Sequence, residues 1–215
     1  MKHPSVNSVW NISIFQKINP VIRILIFSDI LVVMTRLGFI APIFALYITD
    51  KIPGGNLEVV GIATTIYMLS KSLLQIPVSV MIDKIKGEQD DFIAIFLGTF
   101  WFSLTPLLYI FIDSIFQLYV VQFLLGVSAA VLFPSWTAVF TRHIDHEHEG
   151  IEWGTYFTVT DLSSAIGAAL GGIIAYRLGF NYLFGLASVI SFIGVFVLLS
   201  IKNDMRFVKA KKSNF

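Results

Sequence analysis

Hydrophobic positions along this chain fall in long unbroken runs. They show neither the alternation of a half-buried strand nor the single stripe of a soluble amphipathic helix. Six runs stand out, at about residues 22–48, 57–82, 92–112, 115–141, 153–177 and 180–201. At about 1.5 Å of rise per residue, each is long enough to cross a hydrocarbon core about 30 Å thick. Breakers and polar residues separate them. Asn19-Pro20 opens the first with a cap followed by proline. Pro53-Gly54-Gly55, the charged stretch 83–91, Asp113-Ser114, the run 142–152 and Leu178-Gly179 divide the rest. Lipid offers no partner to a backbone N–H or C=O, so each run is predicted to be a helix. The ten-residue alternating segments of a membrane barrel are absent. The expectation is an all-α membrane protein, a six-helix transmembrane bundle over 22–201. A cytoplasmic N-terminal segment, 1–21, precedes it, and a basic cytoplasmic tail, 202–215, follows.

Composition agrees with this pattern. The chain is 56% hydrophobic and 13% charged, against about 25% charged in soluble domains, and its mean hydropathy is +0.79. A net charge of +1 gives no electrostatic case for nucleic acid. The absence of cysteine closes disulfide, zinc–thiolate and cysteine-nucleophile chemistry. The first run is too long, and too charged at Asp29 and Arg36, for a cleavable signal. Lysine and arginine set the orientation. With the N-terminus inside, eleven of the fifteen lie on the cytoplasmic side, two (Lys51 and Arg177) outside, and two within spans.

Four charged side chains lie inside the runs: Asp29 and Arg36 in span 1, Lys71 in span 2 and Asp161 in span 5. Each is costly in hydrocarbon, by about 2.5 kcal/mol or more. Counted along the helices, Asp29 lies ~10 Å from the cytoplasmic end, Asp161 ~13 Å, Lys71 ~17 Å and Arg36 ~21 Å. Two readings follow: the charges pair to hold helices together, or they line a path for solute or protons. Asp29 and Arg36 are seven residues apart, so they share a face and each wants a partner on another helix. Lys71 could also snorkel.

Small residues mark close packing. Ser163, Gly167, Gly171 and Ala175 recur every four residues in span 5, as Gly126 and Ala130 do in span 4. Pro42, Pro77 and Pro134 fall inside spans and should kink them. Spans 1–3 and 4–6 start on opposite sides, which makes two inverted three-helix repeats geometrically natural. At an offset of 93 residues, Gly61 falls on Gly154 and Ser79 on Gly172. In the stretch 83–91, Asp83 stands apart because it ends an apolar run. Arg142, at the same level on span 4, is its expected partner, while Glu88, Asp90 and Asp91 read as a solvated charge run.

These features together resemble the N-terminal six-helix half of the major facilitator superfamily. The family's signature after helix 2 is roughly Gly-x-x-x-Asp-Arg/Lys-x-Gly-Arg/Lys-Arg/Lys, and here Ser79-Val80-Met81-Ile82-Asp83-Lys84-Ile85-Lys86-Gly87-Glu88 keeps the Asp and the base after it. Ser163-x-x-x-Gly167-Ala168-Ala169-Leu170-Gly171-Gly172 resembles the drug-antiporter motif, with Ala in place of its Pro. Gly179-Phe180-Asn181-Tyr182-Leu183-Phe184 is similar to the turn into helix 6, and Leu37-Gly38 with Pro42 to the pattern in helix 1. Gln122 stands where helix 4 often carries Arg before Gly126. The resemblance runs from about 22 to 201 and implies half of a twelve-helix fold.

It also implies function. The expected activity is transmembrane transport of a small solute by alternating access, with proton-coupled efflux as one form of it. The substrate or proton path would use Asp29, Arg36, Lys71, Gln122 and Asp161. Asp83, Lys84 and Arg142 would form a cytoplasmic gate latch, and Ser163, Gly167, Gly171 and Gly172 would pack helices. The partners implied are the lipid bilayer of the plasma or inner membrane and either a second copy or a second six-helix half. The rival is a non-transporting six-helix subunit or a truncated fragment. An enzyme is not expected, because His3, His143, His146 and His148 all fall outside the spans. No cofactor or metal is called for. The tract of His143, Asp145, His146, Glu147, His148 and Glu149 has a metal-binding composition but reads as a solvated loop.

Overall fold

Asn19 accepts a hydrogen bond from the backbone N–H of Val21 at 2.9 Å, and Pro20 fills the first helical turn. The first helix therefore starts where its cap and proline place it. The structure, a computed structural model, describes residues 18–84, 87–202 and 205. Most of the expected N-terminal segment and basic tail, with Lys86, lies outside the described residues.

Six helices are long and apolar enough to cross a membrane. They are α1 (Pro20–Lys51), α2 (Leu57–Lys84), α3 (Gln89–Ile110), α4 (Ile115–His143), α5 (Glu149–Leu178) and α6 (Phe180–Ile201). Their limits match the hydrophobic runs to within about a turn. α5 starts earlier than its apolar run because Glu149 and Glu152 occupy the first turn, where carboxylates suit the helix N-terminus. Gly179 ends α5 at φ +87°, a left-handed conformation that lets the chain reverse directly into α6.

α1 is not uniform. Its middle, Met34–Ile40, is π-helical, and Ala41–Ile43 is a 3-10 turn holding Pro42. Pro77 and Pro134 lie inside helices that continue past them.

The main helix contacts are α2 with α4, α1 with α5, α3 with α4, α1 with α6, and α3 with α6. Exchanging α1 with α4, α2 with α5 and α3 with α6 maps this set onto itself. The two inverted three-helix repeats are therefore visible as packing. Four of these interfaces have a glycine at the point of closest approach. A Cβ on Gly38 of α1 would lie 2.7 Å from the Cα of Gly167 on α5, and one on Gly126 of α4 would lie 2.6 Å from the Tyr67 carbonyl on α2. Gly98 of α3 meets Leu132 of α4, and Gly194 of α6 meets the Ser28 carbonyl of α1. Such close approach is what small residues give membrane helices. Gly167 and Gly171 face α1 as expected, but Gly172 does not pack: it points to the outside, with nothing within 4 Å of a Cβ built there.

The interior has two apolar cores. One, around Ile22, Leu25, Ile95, Phe140 and Leu198, lies toward the end where α1 begins. The other, around Phe39, Ile48, Leu118, Leu183 and Phe184, lies toward the opposite end. Between them runs a belt of polar groups that ties helices together. Ser28 donates to the Gly194 carbonyl at 2.9 Å, Ser188 donates to the Ser103 carbonyl at 2.6 Å, and Thr35 bonds Ser191. Such bonds are worth about 0.6–1.7 kcal/mol each in a bilayer. α2 and α5 are the least buried of the six. They flank the bundle, α2 against α4 and α5 against α1.

Candidate functional site: the mid-depth ionisable groups and the charged end

The widened turns from Met34 onward break the 3.6-residue phase of α1. Asp29 and Arg36, on either side of the start of these turns, take partners on different helices. Asp29 turns to α5, where the Tyr156 hydroxyl donates to its carboxylate at 2.7 Å. Arg36 turns to α3 and α4, with its guanidinium carbon 5.5 Å from the centroid of the Phe102 ring and 5.7 Å from that of Phe133. Lys71 reaches the same ring from α2: its Nζ is 4.4 Å from the Phe133 centroid. Lys71 therefore lies against an aromatic ring at mid-depth and does not snorkel to an end. Among the described residues no ion pair joins any two of Asp29, Arg36, Lys71 and Asp161.

Asp161 is exposed on α5. Gln122 is held by a tyrosine of α3. It is buried inside the bundle and donates to the Tyr109 hydroxyl at 3.0 Å. Tyr109 in turn receives the Tyr47 hydroxyl at its backbone carbonyl. This bond ties α4 to α3 and gives the buried amide a partner, which it would be expensive to lack. A small internal cavity of about 40 Å³ lies nearby, lined by Thr35, Arg36, Thr105, Tyr109 and Ser191 among others. That is room for a water or two.

A second group of charges sits at the end of the bundle where α3 begins and α4 ends. Here the expected pairing is corrected. Arg142 binds Asp91, not Asp83. Asp91 is fully buried and Glu88 nearly so, whereas Asp83 and Lys84 are exposed. The physical reason is position. Asp91 lies in the first turn of α3, which packs along α4, so its carboxylate faces the last turn of α4 directly. Asp83, at the end of α2, lines a groove with Arg142 without bonding to it. Glu88, just before α3, has His143 Nε2 3.8 Å away. Burial pushes its carboxyl above the usual range, opposed by the charges of His143 and Arg142.

The loop between α4 and α5 is tied within itself. Asp145 accepts from the backbone N–H of Glu147 at 3.1 Å and bonds His148 at 2.9 Å, and the first of these holds its carboxyl below the usual range. Glu152 caps back onto the Asp145 backbone N–H at 3.2 Å. Among the described residues no three of these groups converge as a metal site.

Sequence reasoning missed Tyr156, Phe133 and Asp91. The one available signal was for Asp91, an acid at the mouth of span 3 on the side where Arg142 ends span 4. The aromatic partners carry no such signal among 20 phenylalanines and 7 tyrosines.

Six spanning helices in two inverted repeats, with ionisable groups at mid-depth, define a multi-pass helical membrane protein. The chain belongs to the major facilitator superfamily, whose family model matches residues 26–214, and it forms an all-α half of that fold. It is 27% identical, over 83% of its length, to an uncharacterized MFS-type transporter of Methanocaldococcus jannaschii, and covers 45% of that protein. It is 26% identical, over 87% of its length, to the proton-coupled antiporter flippase LtaA of Staphylococcus haemolyticus, covering 46% of it. An uncharacterized MFS-type transporter of Schizosaccharomyces pombe is 24% identical over 79% of the chain, which covers 37% of that protein. The chain thus spans about half the length of the curated relatives it matches, or less.

Proposed function

We propose that this chain is one half of a facilitator-type transporter that moves a small solute across a plasma or inner membrane by alternating access. It works against a second six-helix unit, either a second half or a second copy. It carries solute and performs no covalent chemistry.

One observation carries this reading: a strip of small and polar residues on the outer side of α5. Gly154, Thr158, Asp161, Ala165 and Gly172 are all exposed, at helical spacing. A carboxylate at mid-depth is not tolerated against lipid, and small residues at this spacing suit another helix. α2 carries the matching strip Gly61, Thr65 and Ser72, also exposed, each 93 residues earlier. The internal match seen in the sequence therefore falls on the two outer helices, which flank the face a second unit would cover. Asp29, bonded to Tyr156, is the proton-carrying candidate, and the similarity to a staphylococcal proton-coupled antiporter supports proton coupling. Asp83, Lys84 and Arg142 form the latch at the cytoplasmic end, with Asp91 holding Arg142 in place.

The chain has no cysteine, so single-cysteine variants report cleanly. Ser72→Cys mixed with Ala165→Cys should form a disulfide between two copies in liposomes. Monomers that never cross-link would remove the paired-copy form. Proteoliposomes with an imposed pH gradient should show proton-linked uptake or release that Asp29→Asn abolishes. Unchanged flux and pH dependence would reject the proton role. A monomer with no flux of any kind leaves the non-transporting six-helix subunit.

A further inference from the structure

The mid-depth belt holds two cations on one aromatic ring. The Arg36 guanidinium and the Lys71 ammonium both lie within 6 Å of the Phe133 ring centroid. They arrive from different helices, α1 and α2, and Phe133 belongs to a third. Among the described residues neither has a carboxylate oxygen within ion-pair distance. Asp29, the acid nearest Arg36 along the chain, is engaged by Tyr156, and Asp161 sits on the exposed side of α5. An aromatic face attracts a cation, but it carries no net charge and cannot neutralise two. Like charges at overlapping depth in a low-dielectric belt repel each other. Neither cation is neutralised by an ion pair among the described residues.

An access route leads to the same place. On α2 the residues Lys71, Gln75, Ser79 and Asp83 follow one another every four positions, so they form one stripe running from mid-depth to the charged end. Gln75, Ser79 and Asp83 line an open groove of about 510 Å³ against Thr137, Thr141 and Arg142 of α4. Phe133 lines it too. The groove thus leads from the charged end to the Phe133 ring. There the planar fork of Arg36 can take two oxygens of a phosphate or carboxylate while the Lys71 ammonium takes another.

We propose that Arg36 and Lys71, flanking Phe133, form an oxyanion-binding site, so that the solute carried is a phosphate- or carboxylate-bearing one. This rests on the reading of the chain as half of a transporter. The shared chemistry is the oxyanion; it can belong to a free solute or to the headgroup of an amphiphile.

The test uses the full chain in lipid nanodiscs, with octyl phosphate, octylammonium and inorganic phosphate as probes in equilibrium titrations. Octyl phosphate should bind saturably and octylammonium at least tenfold more weakly. Arg36→Gln and Lys71→Gln should each weaken octyl phosphate at least tenfold, and the double variant should abolish its binding. Arg36→Lys should retain part of it, which a merely structural role would not explain. Inorganic phosphate that competes at low millimolar concentration identifies a free solute; octyl phosphate binding without such competition identifies an amphiphile headgroup. Should Arg36→Gln fail to fold, Lys71→Gln, half-exposed in the native chain, carries the test alone. Octyl phosphate affinity unchanged in Lys71→Gln, or octylammonium binding as tightly, overturns the proposal. Intact anion binding in a chain that shows no flux in vesicles would instead overturn the transport reading and leave this site standing. Flux indifferent to anions would do the reverse.

Discussion

The bundle handles its charges in opposite ways at its charged end and at mid-depth. At the end, Arg142 and the buried Asp91 form a direct ion pair between α4 and α3, with Glu88 and His143 beside it. At mid-depth, among the described residues, Asp29 bonds a tyrosine hydroxyl and Arg36 and Lys71 lie against aromatic rings, none of them in an ion pair. The first is an arrangement that fastens helices. The second leaves charge available in the part of the membrane where unpaired charge costs most. A protein that needed its mid-depth charges only for stability would have paired them as it paired Asp91. The contrast therefore separates charges that fasten helices to one another from charges that do not.

The largest expected effect tests the fastening end. Arg142→Gln leaves the buried Asp91 carboxylate without its cation, close to Glu88 and Asp90. Losing one partner of a buried pair costs 3–5 kcal/mol; because the Arg142 side chain is 39% exposed, a loss of about 3 kcal/mol is expected, read as a fall in thermal midpoint in detergent. Asp83→Asn should change stability by no more than about 0.5 kcal/mol, as an exposed substitution does. Equal losses in the two variants would erase the distinction between Asp91 and Asp83.

That distinction marks where sequence stopped being informative. The six spans were legible because lipid forces helices on any long apolar run, and the depth of Asp29, Arg36, Lys71 and Asp161 follows from residue count alone. The direction in which each charge points was not. It depends on which neighbours each side chain meets, Tyr156 for Asp29 and Phe133 for Arg36 and Lys71, and no spacing in the sequence announces them. Gln122 is a second case: its place in the family pattern suggested a cavity-facing group, but the tyrosine on α3 that captures it is one of seven. Gly172 is a third, since a small residue suits an internal interface and an external one equally.

The next effect is at mid-depth. Tyr156→Phe removes the donor to Asp29 and should cost about 1.5 kcal/mol, the low end for a hydrogen bond to a charged group. It should also alter any proton-coupled flux, which Arg142→Gln should spare in the fraction that remains folded. Lys71→Met sharpens the contrast further. It removes a charge that has no ionic partner among the described residues, so stability should stay within about 1 kcal/mol or rise, while octyl phosphate binding falls. A Lys71→Met variant that loses as much stability as Arg142→Gln would show that the mid-depth cation is a fastening group after all.

The smallest effect is a pH slope at Glu88. Its carboxyl is pushed above the ordinary 4.5, mainly by burial. As pH rises through 4.5 the unfolded chain gives up this proton before the folded one does, so the folded state binds more protons and stability falls. Below 4.5 the protonated Glu88 behaves much like a glutamine. The midpoint of the natural chain minus that of Glu88→Gln should therefore lie near zero at about pH 4 and turn negative as pH rises toward 7. A difference that is flat across this range, or that turns positive, would mean the His143 and Arg142 charges outweigh burial. The charged end would then be fastened at Glu88 as firmly as at Asp91.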